Sequence, residues 1–182
     1  MTPESKADRD APELPRGLVD EVRTWIVRDP DPATRAELEG LLEARDEEAL
    51  RARFDRPLVF GTAGLRGALG AGPGRMNRAV VRATTAGLAR WVADQGDAAR
   101  RAGIIVGYDA RHGSAVFAED VAAASAAAGV RVRAFPRALP TPITAFAVRQ
   151  LGAAAGVMIT ASHNPAADNG YKAYAADGAQ VF

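Results

Sequence analysis

The chain has 182 residues, 48% of them hydrophobic and 25% charged, and its 23 basic and 22 acidic side chains leave a net charge of +1. That composition suits a soluble globular fold and lacks the basic stripe that nucleic acid demands. With no cysteine and two histidines, disulfides and thiolate zinc sites are excluded, and no apolar stretch approaches the roughly 20 residues that span a bilayer.

Residues 1–13 are charged and proline-containing with almost no apolar anchor, and are expected to form a disordered tail without a signal-peptide core. This points to a cytoplasmic protein with no membrane partner. A helical extension is expected over residues 14–58. Leu18, Val22, Trp25 and Ile26 lie on one helical face that should end near Asp29-Pro30. Thr34 and Glu37 have the spacing of a capping box for a second helix carrying Leu38, Leu41 and Leu42, and a third helix is expected over Asp46 to Phe54.

After Phe60, short apolar runs alternate with helical stretches, the pattern of an α/β fold. Asn77 is placed to cap a helix whose Val81, Thr84, Leu88 and Trp91 share a face, followed by a buried strand over Gly103 to Asp109. Ser114 is expected to cap the next helix, which carries Glu119 and Asp120 near its positive end and stops at Gly129. Val130 to Arg133 alternates like a strand with its arginines outward. Thr141-Pro142 reads as a cap and first-turn proline for a helix bearing Ile143 and Phe146, with Gly152 ending it before a buried strand over Ala153 to Ile159. The fold class is therefore a layered α/β/α domain over residues 59–182, with a mixed, largely parallel sheet.

Ligands of such sheets bind beyond the carboxyl ends of the strands. Two loops sit there, one after Tyr108 and one after Ile159. The second, Thr160 to Lys172, contains Asn164-Pro165 and Asn169-Gly170, two turn signals enclosing a polar cluster. As a bare pattern it is a hydrophilic turn, and Ser162-His163 implies no hydrolase triad, since neighbouring side chains in extended backbone diverge. Gly-x-Ser-x-Gly and the P-loop spacing are both absent.

Thr160-Ala161-Ser162-His163-Asn164-Pro165, followed by Asn169-Gly170-Tyr171-Lys172, resembles the active-site serine loop of the phosphoglucomutase/phosphomannomutase (phosphohexomutase) superfamily. Phe60-Gly61-Thr62-Ala63-Gly64-Leu65-Arg66 resembles its amino-terminal signature. Gly107-Tyr108-Asp109-Ala110-Arg111, with Ser114, resembles its Gly-x-Asp-x-Arg-x-x-Ser segment. The resemblance runs from about Leu18 to Phe182 and leans toward the phosphopentomutase-like branch. It implies a phosphoserine at Ser162 whose phosphate binds Mg²⁺, Lys172 and His163 in proton transfer, and Arg66 as an anion clamp. Phosphate or substrate contacts are implied for Thr62, Arg66, Asn164 and Lys172. Asp109 and Arg111 are expected to pair and hold the loops, while Asp168 and Asp177 stay unassigned.

The implied activity is intramolecular phosphoryl transfer between hexose 1-phosphate and 6-phosphate, through a bisphosphate and with a glucose 1,6-bisphosphate-type primer. The superfamily's Asp-Gly-Asp-x-Asp-Arg metal loop, its sugar-selecting loop and its distal phosphate loop do not occur in this sequence. The expectation is therefore a fragment whose partners include the remaining domains of a longer enzyme. The alternative from another class is a non-catalytic phosphosugar-binding or assembly module of the same fold.

Overall fold

The computed structural model describes residues 13–181, so the expectation for the tail falls, Glu13 apart, outside the described residues. Three helices come first: α1 (Arg16–Arg28), α2 (Pro32–Glu43) and α3 (Glu47–Phe54). Their apolar faces meet in one cluster of Leu18, Val22, Leu38, Leu50, Phe54 and Ala71, with Trp25, Ile26, Leu41 and Leu42 packed against it. Helix α1 ends at Asp29 in extended backbone, as the following proline requires.

The expected capping box does not form. Asp31 caps α2, accepting from Ala33 N, and Pro32 occupies the first helical position. Thr34 is already inside the first turn and its hydroxyl donates to Asp29 Oδ2 at 2.8 Å. Glu37 reaches further along the chain, where Oε1 accepts from Arg53 of α3 and Oε2 from the Ala71 backbone N–H at 3.1 Å. The Asp31 cap wins because it sits one residue ahead of a proline that pre-sets the helical φ.

The remainder is a five-stranded sheet with helices on both faces. Its strands are β1 (Leu65–Ala68), β2 (Ile104–Tyr108), β3 (Val132–Ala134), β4 (Ala155–Ile159) and β5 (Asp168–Ala175), in the order β1-β5-β4-β2-β3. Strands β3, β2 and β4 pair in parallel, and β5 runs antiparallel to both β4 and β1. Every strand but β5 therefore points the same way. Helices α4 (Arg78–Asp94), α6 (Ser114–Ala127) and the short α5 (Asp97–Ala102) lie on one side, and α7 (Thr141–Gln150) on the other. The larger core joins Val81, Val92, Ile104, Val106, Phe117, Val121, Val157 and Tyr171. A smaller one joins Ile105, Val148, Met158 and Tyr174 beneath α7.

Several local expectations shift by about a residue. Asn77 does cap α4, but the buried face is Val81, Thr85, Ala89 and Val92, while Trp91 is exposed. On α7 the buried residues are Thr144, Ala147 and Val148, leaving Ile143 and Phe146 exposed. The α4 face turns away from Trp91, the largest apolar side chain of the helix, and toward Val81, Thr85, Ala89 and Val92. Gly113 in left-handed backbone, not Ser114, precedes α6, and Pro140 precedes α7. Asp120 is buried and joins α6 to α4, accepting from Arg78 Nε at 2.7 Å and Arg82 Nε at 2.6 Å. Arg131 is exposed as expected. Arg133 instead folds over the end of α7, donating to Leu151 O at 3.2 Å, where a cation suits the helix dipole.

Ala71 is fully buried and its N–H ends on Glu37, so Glu37→Ala removes the partner of a buried donor. A loss of about 2 kcal/mol is expected, lowering Tm by roughly 4–8 °C in thermal denaturation. A melting curve matching the wild type would show that Ala71 N–H finds another acceptor.

Candidate active site

The site forms where β4 ends. All five residues of β4 are buried, as are Thr160 and Ala161, and the chain emerges at Ser162. Ser162 is exposed and holds φ of 55°, a left-handed conformation that is unusual for serine. Its N–H donates to Thr160 Oγ1 at 2.9 Å, and Asn164 N–H donates to Ala161 O at 3.0 Å. These two bonds reverse the chain and point the residue away from the core. His163 is exposed beside it.

Arg111, from the loop after β2, holds this turn in place. Its guanidinium donates to the backbone carbonyls of Ser162 at 2.8 Å, Asn164 at 2.7 Å, Pro165 at 2.7 Å and Asp168 at 3.1 Å. Asp109 lies behind it, with 3.5 Å between Oδ2 and Arg111 Nε, and accepts from the Arg111 N–H at 3.0 Å. The network continues inward. Ser114 Oγ donates to Asp109 Oδ1 at 2.8 Å, and the buried Asn169 donates to Ser114 Oγ at 2.9 Å and to His112 O at 2.8 Å. Outside it, Arg111, His112, Asn164 and Ala166 line an open groove of about 390 Å³.

Arg66 and Lys172 arrive from the other side, on β1 and β5. Arg66 pairs with Gly170 across the ladder and donates from Nη1 to Asn164 Oδ1 at 2.9 Å. Only glycine fits opposite it: a Cβ at Gly170 would lie 2.7 Å from Arg66 Cγ and 2.6 Å from Thr160 O. Asn169-Gly170 is therefore not the turn its sequence suggests but part of β5, where glycine marks a close approach. Lys172 pairs with Met158 of β4. Partial burial, and then the positive charge of Arg66, lower its amine below the ordinary lysine range.

The structure thus gathers Ser162, Asn164, Arg66, Arg111 and Asp109 into one bonded assembly, with Lys172 beside Arg66. Thr62 is exposed in the turn before β1, where its carbonyl accepts from Gln180 Nε2 at 3.0 Å. Among the described residues no group of three or more His, Cys, Asp or Glu side chains converges as a cation site, so these residues do not by themselves fit Mg²⁺. Sequence reasoning left out Asn169 and Asp168. An asparagine before glycine reads as a turn, and nothing local announces that it bonds to a segment far away in the chain.

Residues 57–182 match the sequence model of the phosphoglucomutase/phosphomannomutase α/β/α domain I. The chain belongs to this family. It is 42% identical over 165 residues to a probable phosphoribomutase of Schizosaccharomyces pombe, covering 91% of this chain and 28% of the relative. It is 40% identical over 163 residues to glucose 1,6-bisphosphate synthase of Mus musculus, covering 86% and 26%. Among solved structures, a putative phosphomannomutase from Thermus thermophilus aligns with a TM-score of 0.62 and 33% identity, over 69% of this chain and 27% of that one. The chain thus spans about a quarter of the length of the relatives it matches. No described helix is long and apolar enough to cross a membrane.

The lowered amine gives this phosphomutase-family domain a measurable signature. Because the folded pKa of Lys172 lies below its unfolded value, folding releases protons in that window, and this group's contribution to stability rises with pH through it. An NMR titration of the Lys172 side chain is expected to give a midpoint below the usual lysine range, moving up in Arg66→Ala. A midpoint that Arg66→Ala leaves in place would separate the two side chains.

Proposed function

We propose that this chain is the phosphoserine-bearing part of a phosphosugar mutase, with Ser162 as the phosphoryl carrier. The observation that carries the reading is the exposed serine hydroxyl on a turn rigidly held by Arg111, with Arg66 bonded to the same turn and Lys172 alongside. Family membership supplies the reaction class. The site supports the roles: an exposed nucleophile, a guanidinium suited to phosphate oxygens and an amine whose proton is loosely held.

In the forward half-reaction the phosphoryl group leaves Ser162 Oγ and bonds to a hydroxyl of a sugar monophosphate. The hydroxyl loses its proton and Oγ regains one, with Lys172 as the shuttle and His163 as a second candidate. The resulting bisphosphate then returns its other phosphoryl group to Ser162. Arg66 spreads charge on the transferring oxygens, and Arg111 and Asp109 keep the turn from reorganising. Thr62 and Asn164 complete the phosphate surroundings. A glucose 1,6-bisphosphate-type sugar would prime the serine. The chain's own part in any Mg²⁺ site would be the oxygens of that phosphate.

Hexose 1- and 6-phosphates are the substrates we assign, with pentose phosphates the neighbouring class named by the fission-yeast relative. The polypeptide is read as a helical extension over residues 14–58 and a catalytic domain over 59–182, acting in the cytoplasm with further domains that bind the distal end of the sugar. By itself the 182-residue chain is expected to turn over neither class. Loss of substrate positioning alone forfeits roughly 7–11 kcal/mol of barrier lowering.

The test uses the full-length protein that contains this chain. Incubation with ³²P-labelled glucose 1,6-bisphosphate is expected to label Ser162, and Ser162→Ala to reduce mutase turnover by roughly a thousandfold or more with an unchanged melting temperature. Near-normal turnover by unphosphorylated Ser162→Ala protein would overturn the carrier role.

A further inference from the structure

Asp168 stands outside the roles assigned so far, yet it is bonded to the side chain that holds Arg66. Asn164 Nδ2 donates to Asp168 Oδ2 at 2.9 Å, while Asn164 Oδ1 accepts from Arg66 Nη1 at 2.9 Å. A guanidinium only donates and a carboxylate only accepts. The amide between them therefore has one orientation that satisfies both, and turning it over would set donor against donor and acceptor against acceptor.

The carboxylate is placed independently of Arg66. Asp168 opens β5 opposite Ala68, its N–H donates to Pro165 O at 3.0 Å, and its carbonyl accepts from Arg111 at 3.1 Å. The residue is thus anchored by the same backbone bonds that shape the serine turn. The amide spacer also matters. A carboxylate bonded directly to Arg66 would occupy the fork of donors and neutralise the charge, as Asp120 does for Arg78 through two bonds at 2.7 and 3.0 Å. Through Asn164, Asp168 restrains one N–H of Arg66 and leaves the rest of the fork for an anion.

We propose that Asp168 is a positioning residue of this site: through the polarised amide of Asn164 it fixes the Arg66 guanidinium against the Ser162 turn, with donors left over for phosphate. The significance for phosphoryl transfer rests on the mutase reading, whereas the restraint on Arg66 has a readout of its own.

The first readout is the Arg66 guanidinium in NMR spectra of the 182-residue chain, where a held group rotates slowly and gives separate N–H signals. Asp168→Ala removes the acceptor that holds the far side of the Asn164 amide, so the Arg66 signals are expected to collapse to a fast-rotating average. Asn164→Ala is expected to do the same. The exchange Asn164→Asp with Asp168→Asn restores an acceptor facing Arg66 and a donor facing that acceptor, and is expected to return the signals to separate positions. Arg66 signals that stay separate in Asp168→Ala, or in Asn164→Ala should the first variant not fold, would overturn the proposal.

The second readout is turnover of the full-length protein. Asp168→Ala is expected to lower kcat/KM roughly 10- to 100-fold, the scale of an ångström-sized misplacement. Its effect on the Asn164→Ala background is expected to be under about twofold, as for residues acting through one another. Full additivity would overturn the proposal. A wild-type full-length protein without mutase turnover would instead sink the mutase reading, and the Arg66 signals would still judge the positioning.

Discussion

One cation organises this end of the molecule. The Arg111 side chain, 16% exposed, takes four backbone carbonyls of a single turn as its partners. Carbonyls directed inward toward one point would repel one another and lack hydrogen bonds if that point were empty. A charged planar donor resolves both problems, and it explains how Ser162 is kept at a φ of 55° that serine seldom adopts by itself. Asp109 then holds the arginine, Ser114 holds Asp109, and Asn169 ties that chain of bonds back to β5.

A second consequence concerns charge. Arg66, Arg111 and Lys172 all bring positive charge near the serine turn, and Asp109 and Asp168 are the carboxylates bonded to that same network. Asp109 is committed to Arg111 and Ser114, and Asp168 meets Arg66 only through an amide. The result is a small region of cationic surface on a chain whose net charge is +1. The positive potential there is therefore local, set by placement and not by overall composition.

The central strands β2 and β4 were legible because each is an uninterrupted apolar run, and helices such as α4 and α7 because each begins or ends on a residue with a local reason to be there. Asn77 and Gly152 are examples. The serine turn and its three motifs were legible as a resemblance to a family. What escaped was decided at a distance. Glu37 had the spacing of a cap but bonds to Ala71, 34 residues on. Asn169-Gly170 had the composition of a turn but lies in a strand, because Arg66 crosses that spot and leaves no room for a side chain. On α4 the face that includes Trp91 was read from the sequence, whereas Val81, Thr85, Ala89 and Val92 are the ones buried. Local pattern reports the period of an element more reliably than its rotation about its own axis.

The placement of β1 sets a timetable for the chain's synthesis. β1 is an edge strand whose ladder partner is β5, and the bond between Arg66 and Asn164 joins residues 98 apart. On a ribosome adding about 5–20 residues per second, β1 waits some 5–20 s for that partner to emerge. Long-range pairing of this kind is slow to close, since the loop entropy is lost before any contact rewards it. The apolar cluster of α1 to α3 reaches no further along the chain than Ala71, so it is free to form first. The surface that Arg66 shares with the serine turn consequently forms late: a nascent chain has Arg66 long before it has a serine turn to set it against.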